Sequence, residues 1–352
     1  MTADIDPAGE VVVGVDTHAD QHTAAAINGL GQILATIEVP TTPAGYRQLV
    51  GWARRLGCFE RAGVEGTGAY GAGRARHLDE AGVTVIEVDR PNRQRRRRRG
   101  KSDTTDAEAA ARAVLAGDAT TVPKDRTGKV EAVRVLHLCR RSAVKAKTQA
   151  GNQIKDLVLT APEPVRAQLR DKTTRQRVRV AVAFRPGEVT DPATATRRAL
   201  RDLARRWQAL HDEIKALEAD LGRLLQELVP SLLAEAGVGI DVAAKLVIAA
   251  GENPDRLRSE ASFAALCGTS PVEASSGKHS AHRLNQGGNR QANNALHTVV
   301  LHRWRTCPET TAYVQRRRAE GKTDRAIRRC LKRALARRFH QLLTHDLTSS
   351  LT

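Results

Sequence analysis

The amino-acid sequence predicts an α/β domain followed by a mainly α-helical region. Runs rich in Val, Ile and Ala alternate with helical patterns in the first third of the chain, and a long leucine heptad repeat follows them. The last forty residues are helical in pattern and dense in arginine. Because 352 residues exceed the usual size of one domain, we predict a first domain at 1–122, a helical linker at 123–230 and a C-terminal domain at 231–352.

The first domain begins with three short strands, VVVGVD, QHTAAAIN and ILATIEV, within residues 11–39. The glycine-containing turn at 28–32 predicts a hairpin between the last two strands. Next come a helix from Thr42 to about Leu56, a strand RAGVEG, a helix over about 69–80, a strand VTVIEVD and a helix near Thr105. Thr105 and Glu108 fit a capping box at the start of that last helix. This order of strands and helices is typical of an RNase H-like fold.

The middle of the chain, residues 124–232, is helical in pattern, with an interruption at Arg185-Pro186-Gly187. A series of apolar residues alternates steps of four and three, as in the a/d seam of a coiled coil: Leu203, Trp207, Leu210, Ile214, Leu217, Leu221, Leu224 and Leu228. This seam predicts either a hairpin packed on a helix at about 130–158 of the same chain or a coiled coil that pairs two subunits. Both alternatives stay open, and Pro230 ends the helix in each.

The charge balance indicates a polyanionic partner. Lys and Arg number 57 against 39 Asp and Glu, a formal net charge of +18 at pH 7. The sequence has neither a run of the roughly 20 apolar residues that cross a bilayer nor the order of a secretory signal, so we predict a cytoplasmic protein without a membrane partner. Its five cysteines form no CxxC pair, and we interpret them as reduced packing residues.

Four carboxylates fall where the predicted fold gathers side chains. Asp16 ends the first strand, Glu65 ends the fourth within the segment GVEGTG, and Asp103 and Asp106 lie near a helix start. We expect the glycines around Glu65 to leave room for a phosphate backbone. Clustered carboxylates repel one another unless a cation joins them, and their hard oxygen atoms suit Mg²⁺ or Mn²⁺. Each acid alone also fits an ordinary role at a strand end or a helix start.

Basic residues cluster at two places where we predict nucleic-acid binding. The first cluster directly precedes the paired aspartates and comprises Arg93, Arg95, Arg96, Arg97, Arg98, Arg99 and Lys101. The second surrounds a Ser-Ser-Gly turn and comprises Lys278, Arg283 and Arg290. Neutralised phosphates release counterions, which gives affinity without base specificity. The ordinary alternatives are a solvated surface for the first cluster and a simple loop for the turn.

Several segments together resemble one protein family. Gly14-Val15-Asp16, the segment Glu65–Tyr70 and the segment Lys101–Ala107 are similar to the three blocks of the RuvC-like DEDD domain of insertion-sequence 110 transposases. Ala236-Gly237-Val238-Gly239, Phe263–Pro271, Ser275-Ser276-Gly277 and Gly288-Asn289 are similar to the C-terminal transposase domain of that family. The segments follow the family's order over nearly the whole chain.

The resemblance implies a bacterial, nucleoid-associated recombinase that is guided by RNA and joins a serine to DNA as a 5′-phosphoserine. By position, Ser276 is the nucleophile, with Ser275 as its alternative, and the acids that bind Mg²⁺ or Mn²⁺ are Asp16, Glu65, Asp103 and Asp106. The implied partners are donor and target DNA and a structured noncoding bridge RNA. The resemblance also implies that copies of the chain assemble as a dimer of dimers, in which the carboxylates of one subunit meet the serine of another.

Two other functions remain as alternatives. A RuvC-like junction nuclease would use the metal site with water as its nucleophile, leaving Ser276 structural. A basic packaging protein would bind nucleic acid without catalysis. The ordered carboxylates argue against packaging, and the Ser-Ser-Gly segment argues against a simple nuclease.

Overall fold

The structure is a computed structural model that describes residues 9–68, 70–88, 102–124, 126, 128–251, 257–275 and 282–349. The chain forms two compact units, Met1–Arg126 and Thr127–Thr352. The three-domain division that we drew from the sequence stays a prediction. None of the described helices combines the length and the apolar character needed to cross a bilayer.

The first unit contains a mixed sheet with helices on both faces. Its elements are β1 (Glu10–Thr17), β2 (Gln21–Asn28), β3 (Ile33–Pro40), α1 (Pro43–Leu56), β4 (Cys58–Glu65), α2 (Ala72–Glu80), β5 (Thr84–Val88) and α3 (Asp103–Leu115). The strand order is β3-β2-β1-β4-β5, in which β2 is antiparallel to both neighbours and β1, β4 and β5 are parallel. The predicted α/β character of this part of the chain is confirmed.

Alternate residues of β1 face opposite sides of the sheet. Val11, Val13 and Val15 belong to the core that α1 and α2 cover, and Val12 packs against α3 on the other face. Gly14 lies on the α3 face, and its partner in the register of β4 is Gly63. A Cβ atom at Gly14 would lie 1.9 Å from the carbonyl oxygen of a residue in α3, and one at Gly63 would lie 2.8 Å from another. The two glycines therefore let the backbone of α3 approach the sheet.

The start of α3 differs from our prediction. The N-cap is Ser102, whose Oγ accepts a hydrogen bond from the backbone N–H of Thr105 at 3.2 Å. The helix begins at Asp103, so Asp103 and Asp106 both lie in its first turn, where the helix dipole favours carboxylates. The capping box predicted at Thr105 and Glu108 is wrong, because Thr105 already lies inside the helix.

The second unit is mainly helical, as predicted. Its elements are α4 (Lys129–Thr160), α5 (Glu163–Arg166), α6 (Thr174–Val182), α7 (Pro192–Leu228), α8 (Pro230–Leu233), α9 (Ile240–Ala250), α10 (Glu260–Leu266), β6 (Pro271–Glu273), β7 (His282–Leu284), α11 (Arg290–Thr306), α12 (Pro308–Ala319) and α13 (Asp324–Ser349). The strands β6 and β7 form an antiparallel hairpin.

The helical middle region has more breaks than the sequence pattern suggested. The chain leaves the α-helix after Thr160, because Pro162 restricts the residue before it to extended backbone. It leaves again after Val182, before the predicted break at 185–187. The next helix, α7, begins after Asp191, whose carboxylate accepts hydrogen bonds from two backbone N–H groups of its first turn.

The two longest helices, α4 and α7, pack along each other within the chain. Of the seam, Ile214, Leu221 and Leu228 are buried. Arg140 of α4 also holds the carboxylate of Glu218 in α7 at 2.6 Å. The structure thus contains the intramolecular hairpin that was one of our two alternatives, while pairing between subunits through this seam is untested.

The cysteines only partly follow the expectation that they serve as packing residues. Cys267 is buried in the core of the second unit, where burial raises the pKa of its thiol to about 12. Cys58, Cys139 and Cys330 are exposed, so the expectation is wrong for these three. Each of these three cysteines lies on the solvent-facing side of its strand or helix. The distance between cysteines in the sequence does not show which side of an element they occupy.

Candidate functional site

Two of the four predicted carboxylates meet at one end of the first unit's sheet. Asp16 lies near the end of β1 and Asp103 begins α3. The Nε2 atom of His18 lies 3.3 Å from Oδ2 of Asp16 and 3.4 Å from Oδ1 of Asp103. One donor atom from each of these three residues lies within 4.8 Å of the other two. The arrangement is therefore a compact cluster of two oxygen donors and one nitrogen donor.

The other two acids lie close to this cluster. Asp106 is 3% exposed, in the same first turn of α3 as Asp103. Glu65 ends β4, the parallel neighbour of β1, and its carbonyl oxygen accepts a hydrogen bond from Thr17 Oγ1 at 2.9 Å. Among the described residues, the carboxylate oxygens of Glu65 and Asp106 do not belong to the close cluster. All four acids thus lie toward one end of the sheet. One carboxylate oxygen of Asp16 and one of Asp103 lie within 4.8 Å of each other.

Burial and like charge both act on Asp16. Asp16 is 8% exposed, and this burial is the main reason that the pKa of its carboxyl is raised. His18 opposes the rise, while the negative charges of Asp103 and Asp106 add to it. An ionised Asp16 is therefore costly here unless a positive charge accompanies it.

His18 is a member of this site that we did not predict. Its imidazole is about half exposed and stands between the two aspartates. The sequence did contain a signal, since Asp16-Thr17-His18 in extended backbone places its first and third side chains on one face. Imidazole nitrogen suits transition metals better than Mg²⁺, so His18 bears on which ion the site prefers.

A cleft of about 470 Å³ opens beside the cluster. His18, Tyr70 and Asp103 line it together with two further acids, Asp20 and Glu38. The ring of Tyr70 is largely exposed. A phosphate could not approach such an acidic cleft without a cation to offset the repulsion.

The donors fit a divalent cation. Mg²⁺ binds oxygen at about 2.0–2.1 Å, so ligands on opposite sides of one ion stand about 4 Å apart. The donor atoms of Asp16, His18 and Asp103 all lie within 4.8 Å of one another, so they are near enough to share one ion. A cation would also offset the burial cost and the repulsion that together raise the pKa of Asp16. The residues of this cluster could therefore hold a divalent ion.

Of the glycines around Glu65, Gly63 serves packing and Gly66 serves a turn. Gly63 faces α3, so our expectation of open space for a phosphate is wrong at that position. Gly66 has a φ of 66°, in the left-handed region that favours glycine, and lets the chain turn after Glu65. A Cβ atom at Gly68 would lie 3.2 Å from a guanidinium nitrogen of Arg126.

The serine candidates belong to the segment that joins β6 and β7. Glu273 pairs with His282 where the hairpin meets that segment. Ser275 is exposed, and Ser276 lies outside the described residues. Among the predicted nucleic-acid ligands, Arg283 lies in β7 and Arg290 begins α11, both exposed. The remaining predicted ligands lie outside the described residues: Arg93, Arg95, Arg96, Arg97, Arg98, Arg99, Lys101 and Lys278.

Comparisons with known proteins match two stretches of this chain to related transposase families. Residues 13–161 match a family model of IS110-type DEDD transposases, described as a transposase. Residues 231–315 match the model of the IS116/IS110/IS902 transposase family. A 43.6 kDa uncharacterized protein of insertion element IS110 from Streptomyces coelicolor is 34% identical over 125 residues. That alignment covers 34% of this chain and 30% of the relative's length.

Proposed function

This chain belongs to the IS110 transposase family, and from that premise we propose that it cuts and rejoins DNA through a covalent serine intermediate. The observation that carries the proposal is the meeting of Asp16 and Asp103 at His18. Carboxylates gathered in this way hold the divalent ions that organise phosphoryl transfer.

The topology of the sheet supports assignment of the first unit as an RuvC-like, RNase H-like domain. Three meandering antiparallel strands precede two parallel ones, in the order β3-β2-β1-β4-β5. The acids come from the ends of the adjacent strands β1 and β4 and from the start of α3. This is the arrangement that the family resemblance leads us to expect for a DEDD site.

In this proposal Asp16, Glu65, Asp103 and Asp106 hold Mg²⁺ or Mn²⁺. When bound, the ion supplies positive charge that stabilises the phosphate as negative charge develops on it. The chain's own contribution is rigidity: Gly14 and Gly63 seat α3 on the sheet, and the Ser102 cap fixes where the first turn begins. Both features hold Asp103 and Asp106 near the end of β1.

Ser276 supplies the nucleophile. Its Oγ forms a bond to phosphorus while the bond from phosphorus to the 3′ oxygen breaks, and the departing oxygen takes up the hydroxyl proton to become a 3′-OH. One phosphate ester replaces another, so a 3′-OH from a second strand can reverse the step without ATP. A serine is suited to rejoining DNA for this reason, whereas attack by water would leave the strand cut.

We further propose that a structured bridge RNA selects donor and target DNA by base pairing. The protein, with a formal net charge of +18, then contacts mainly backbone phosphates. Copies of the chain act as a dimer of dimers, in which the carboxylates of one subunit meet the serine of another. The family resemblance supports this assembly.

A junction nuclease is the second candidate function, because the acid cluster alone would suffice for it. Denaturing gels of a reaction with labelled DNA, guide RNA and Mg²⁺ separate the two. We expect DNA joined to the wild-type chain and to Ser275→Ala, and no adduct with Ser276→Ala. An adduct lost only in Ser275→Ala would move the nucleophile to that residue. Cut DNA without any adduct in the wild type would overturn the serine mechanism.

The metal assignment has a test that does not depend on activity. At an Mg²⁺ concentration ten times its dissociation constant, binding stabilises the folded protein by about 1.4 kcal/mol. We expect the melting temperature to rise with Mg²⁺ in the wild type and in the control Asp79→Asn, whose carboxylate is exposed on α2. The rise should be largely lost in Asp103→Asn. A wild type that does not respond to Mg²⁺ or Mn²⁺ would contradict the assignment.

A further inference from the structure

A groove of about 480 Å³ lies in the second unit, between α13 and the β6–β7 hairpin. One wall is the chain that enters β6, together with Arg283 of β7. The other wall is a face of α13 that carries Arg329, Cys330, Lys332, Arg333 and Arg337. The residues of the α13 wall belong to no segment that we connected with function from the sequence.

The groove carries a surplus of positive charge. Glu260 bonds Arg333 at 2.8 Å and Arg337 at 2.9 Å, which offsets part of that charge. In the part of the chain that the structure describes, Arg283, Arg329 and Lys332 have no carboxylate in ion-pair contact. Their charges are therefore available to an anionic ligand.

Lys332 shows most clearly that an anion would be favourable here. It is 9% exposed, and its Nζ donates a hydrogen bond to Oδ1 of Asn293 at 3.0 Å. A buried ammonium group that is paired only with a neutral amide carries a desolvation cost. Burial and the nearby Arg329 accordingly lower the pKa of Lys332. An anion in the groove would offset that cost.

Lys332 also connects the groove to the hairpin. The side-chain nitrogen of Asn293 donates to the carbonyl oxygens of Cys267 at 2.8 Å and Gly268 at 3.2 Å. Gly268 has a φ of 63° and begins the turn that leads into β6. The buried lysine, the asparagine and this turn form one hydrogen-bonded chain, so the cationic wall and the hairpin are held together.

The cations are spaced for an extended ligand. Arg329, Arg333 and Arg337 follow one another at intervals of four residues, so they line one face of α13. Eight residues of helix span about 12 Å, and one strand of B-form DNA advances about 3.4 Å per phosphate. The row therefore spans about three to four phosphate-to-phosphate steps along such a strand, which is longer than one small anion.

We propose that this groove holds the phosphate backbone of the DNA strand that the serine attacks, an inference that rests on the function proposed above. Ser276 follows the end of β6 by three positions in the sequence, so the hairpin that forms one wall also carries the nucleophile. Arg283, Arg329 and Lys332 are positioning residues, since they hold flanking phosphates and not the reacting one.

Salt-dependent binding tests the groove. The double variant Arg283→Gln/Arg329→Gln removes two cations, and the control Arg205→Gln/Arg305→Gln removes two exposed cations from α7 and α11. Each phosphate contact with a single strand contributes about 0.7 to the slope of log K against log salt. Fluorescence anisotropy with labelled single-stranded DNA should show a slope about 1.4 smaller for the groove variant and little change for the control. Equal slopes would overturn the proposal.

RNA of the same sequence forms the second arm of this experiment. We expect the groove variant to lose more affinity for DNA than for RNA. If only RNA binding fell, the groove would be a site for the guide RNA and the DNA assignment would be wrong. Circular dichroism of each full-length variant confirms that the helices remain folded.

Alkylation of cysteine tests the same groove without any substitution. Cys330 is exposed in the groove, and Cys139 is exposed on α4 as an internal reference. Mass spectrometry of N-ethylmaleimide labelling should show Cys330 reacting several-fold more slowly with saturating DNA, and Cys139 unchanged. Full reactivity of Cys330 in the complex would overturn the groove proposal while leaving a Ser276 adduct, if formed, as support for the serine mechanism. Protection of Cys330 without any adduct would support the groove and overturn the serine mechanism.

Discussion

The absence of a side chain at Gly14 decides whether α3 can approach the sheet. A Cβ atom there would lie 1.9 Å from the carbonyl oxygen of Ala107 and 2.4 Å from the backbone nitrogen of Ala111. Both are backbone atoms in the middle of a helix, so they cannot rotate away as the end of a flexible side chain can. Since α3 also carries Asp103 and Asp106, Gly14 controls the geometry of the acid cluster without contributing a ligand.

Substitution of this glycine should therefore loosen the site. For Gly14→Ala we expect a loss of about 3 kcal/mol in local stability, at the upper end for an overpacked core. Hydrogen exchange of the β1 and α3 amides measures it, and the Mg²⁺ response should weaken in parallel. Gly29→Ala is the matched control, because a Cβ atom there meets nothing within 4 Å. Equal protection in the two variants would contradict this role.

At the residue scale, the sequence reveals acids more readily than it reveals what places them. The positions of Asp16 near a strand end and of Asp103 at a helix start could be predicted, because such ends leave recognisable sequence patterns. The role of Gly14 could not, because it depends on a helix that packs from far along the chain. His18 lies between these cases, since its position two residues after Asp16 is visible but also common in proteins without a site.

At the scale of elements, Asp241 of α9 joins two helices of the second unit. Its Oδ1 lies 3.1 Å from Nε2 of His137 and 3.0 Å from Nη1 of Arg140, both in α4, and its Oδ2 lies 2.6 Å from Nζ of Lys245. Hydrogen bonding to His137 is the main reason that the pKa of Asp241 lies well below its usual range. Burial opposes this shift, and Lys245 and Arg140 add to it.

The contribution of Asp241 should depend on pH. A carboxyl with a lowered pKa binds its proton less readily in the folded state, so its stabilisation is complete above the unfolded value of 3.8 and declines as the pH falls below it. We expect Asp241→Asn to cost about 1–2 kcal/mol at pH 7, since the group is partly exposed. The deficit should narrow as the pH falls from about 4 toward the folded-state pKa.

Urea unfolding followed by circular dichroism at several pH values measures that deficit. Asp212→Asn is the control, because Asp212 is exposed on α7 and has no ion pair among the residues that the structure describes. We expect its stability to stay within about 0.5 kcal/mol of the wild type throughout. A deficit in Asp241→Asn that does not change with pH would mean that packing, and not charge, is what the substitution removes.

The element order of the first unit and the apolar stripe of α7 were predictable from the sequence, whereas the helix that covers this stripe was not. The spacing of Ile214 and Leu221 shows that α7 buries one stripe, but an apolar stripe does not specify the chain that covers it. The start of α7 could have been predicted from Asp191 and the proline after it, a pattern typical of helix N-termini. The bonds from Asp241 to His137 and Arg140 could not, because these residues are about a hundred positions away in the sequence.

At the scale of the whole molecule, the acids and the serines belong to different compact units. Asp16 and Asp106 lie in Met1–Arg126, and Ser276 falls in Thr127–Thr352. The proposed serine mechanism therefore draws on residues of both units. The proposed dimer of dimers requires two copies, which makes a distinct prediction about mixtures of variants.

A mixture of Asp106→Asn and Ser276→Ala chains should recover activity that neither has alone. In a mixed pair, the intact acids of the Ser276→Ala chain meet the intact serine of the Asp106→Asn chain. Random pairing then gives roughly a quarter of the wild-type amount of DNA adduct. A mass tag on one variant should show every adduct on the Asp106→Asn chain. A mixture of Ser276→Ala with Asp106→Asn/Ser276→Ala is the control, since both of its chains lack Ser276. If native mass spectrometry detects mixed oligomers but no adduct forms, the acids and the serine must act within one chain.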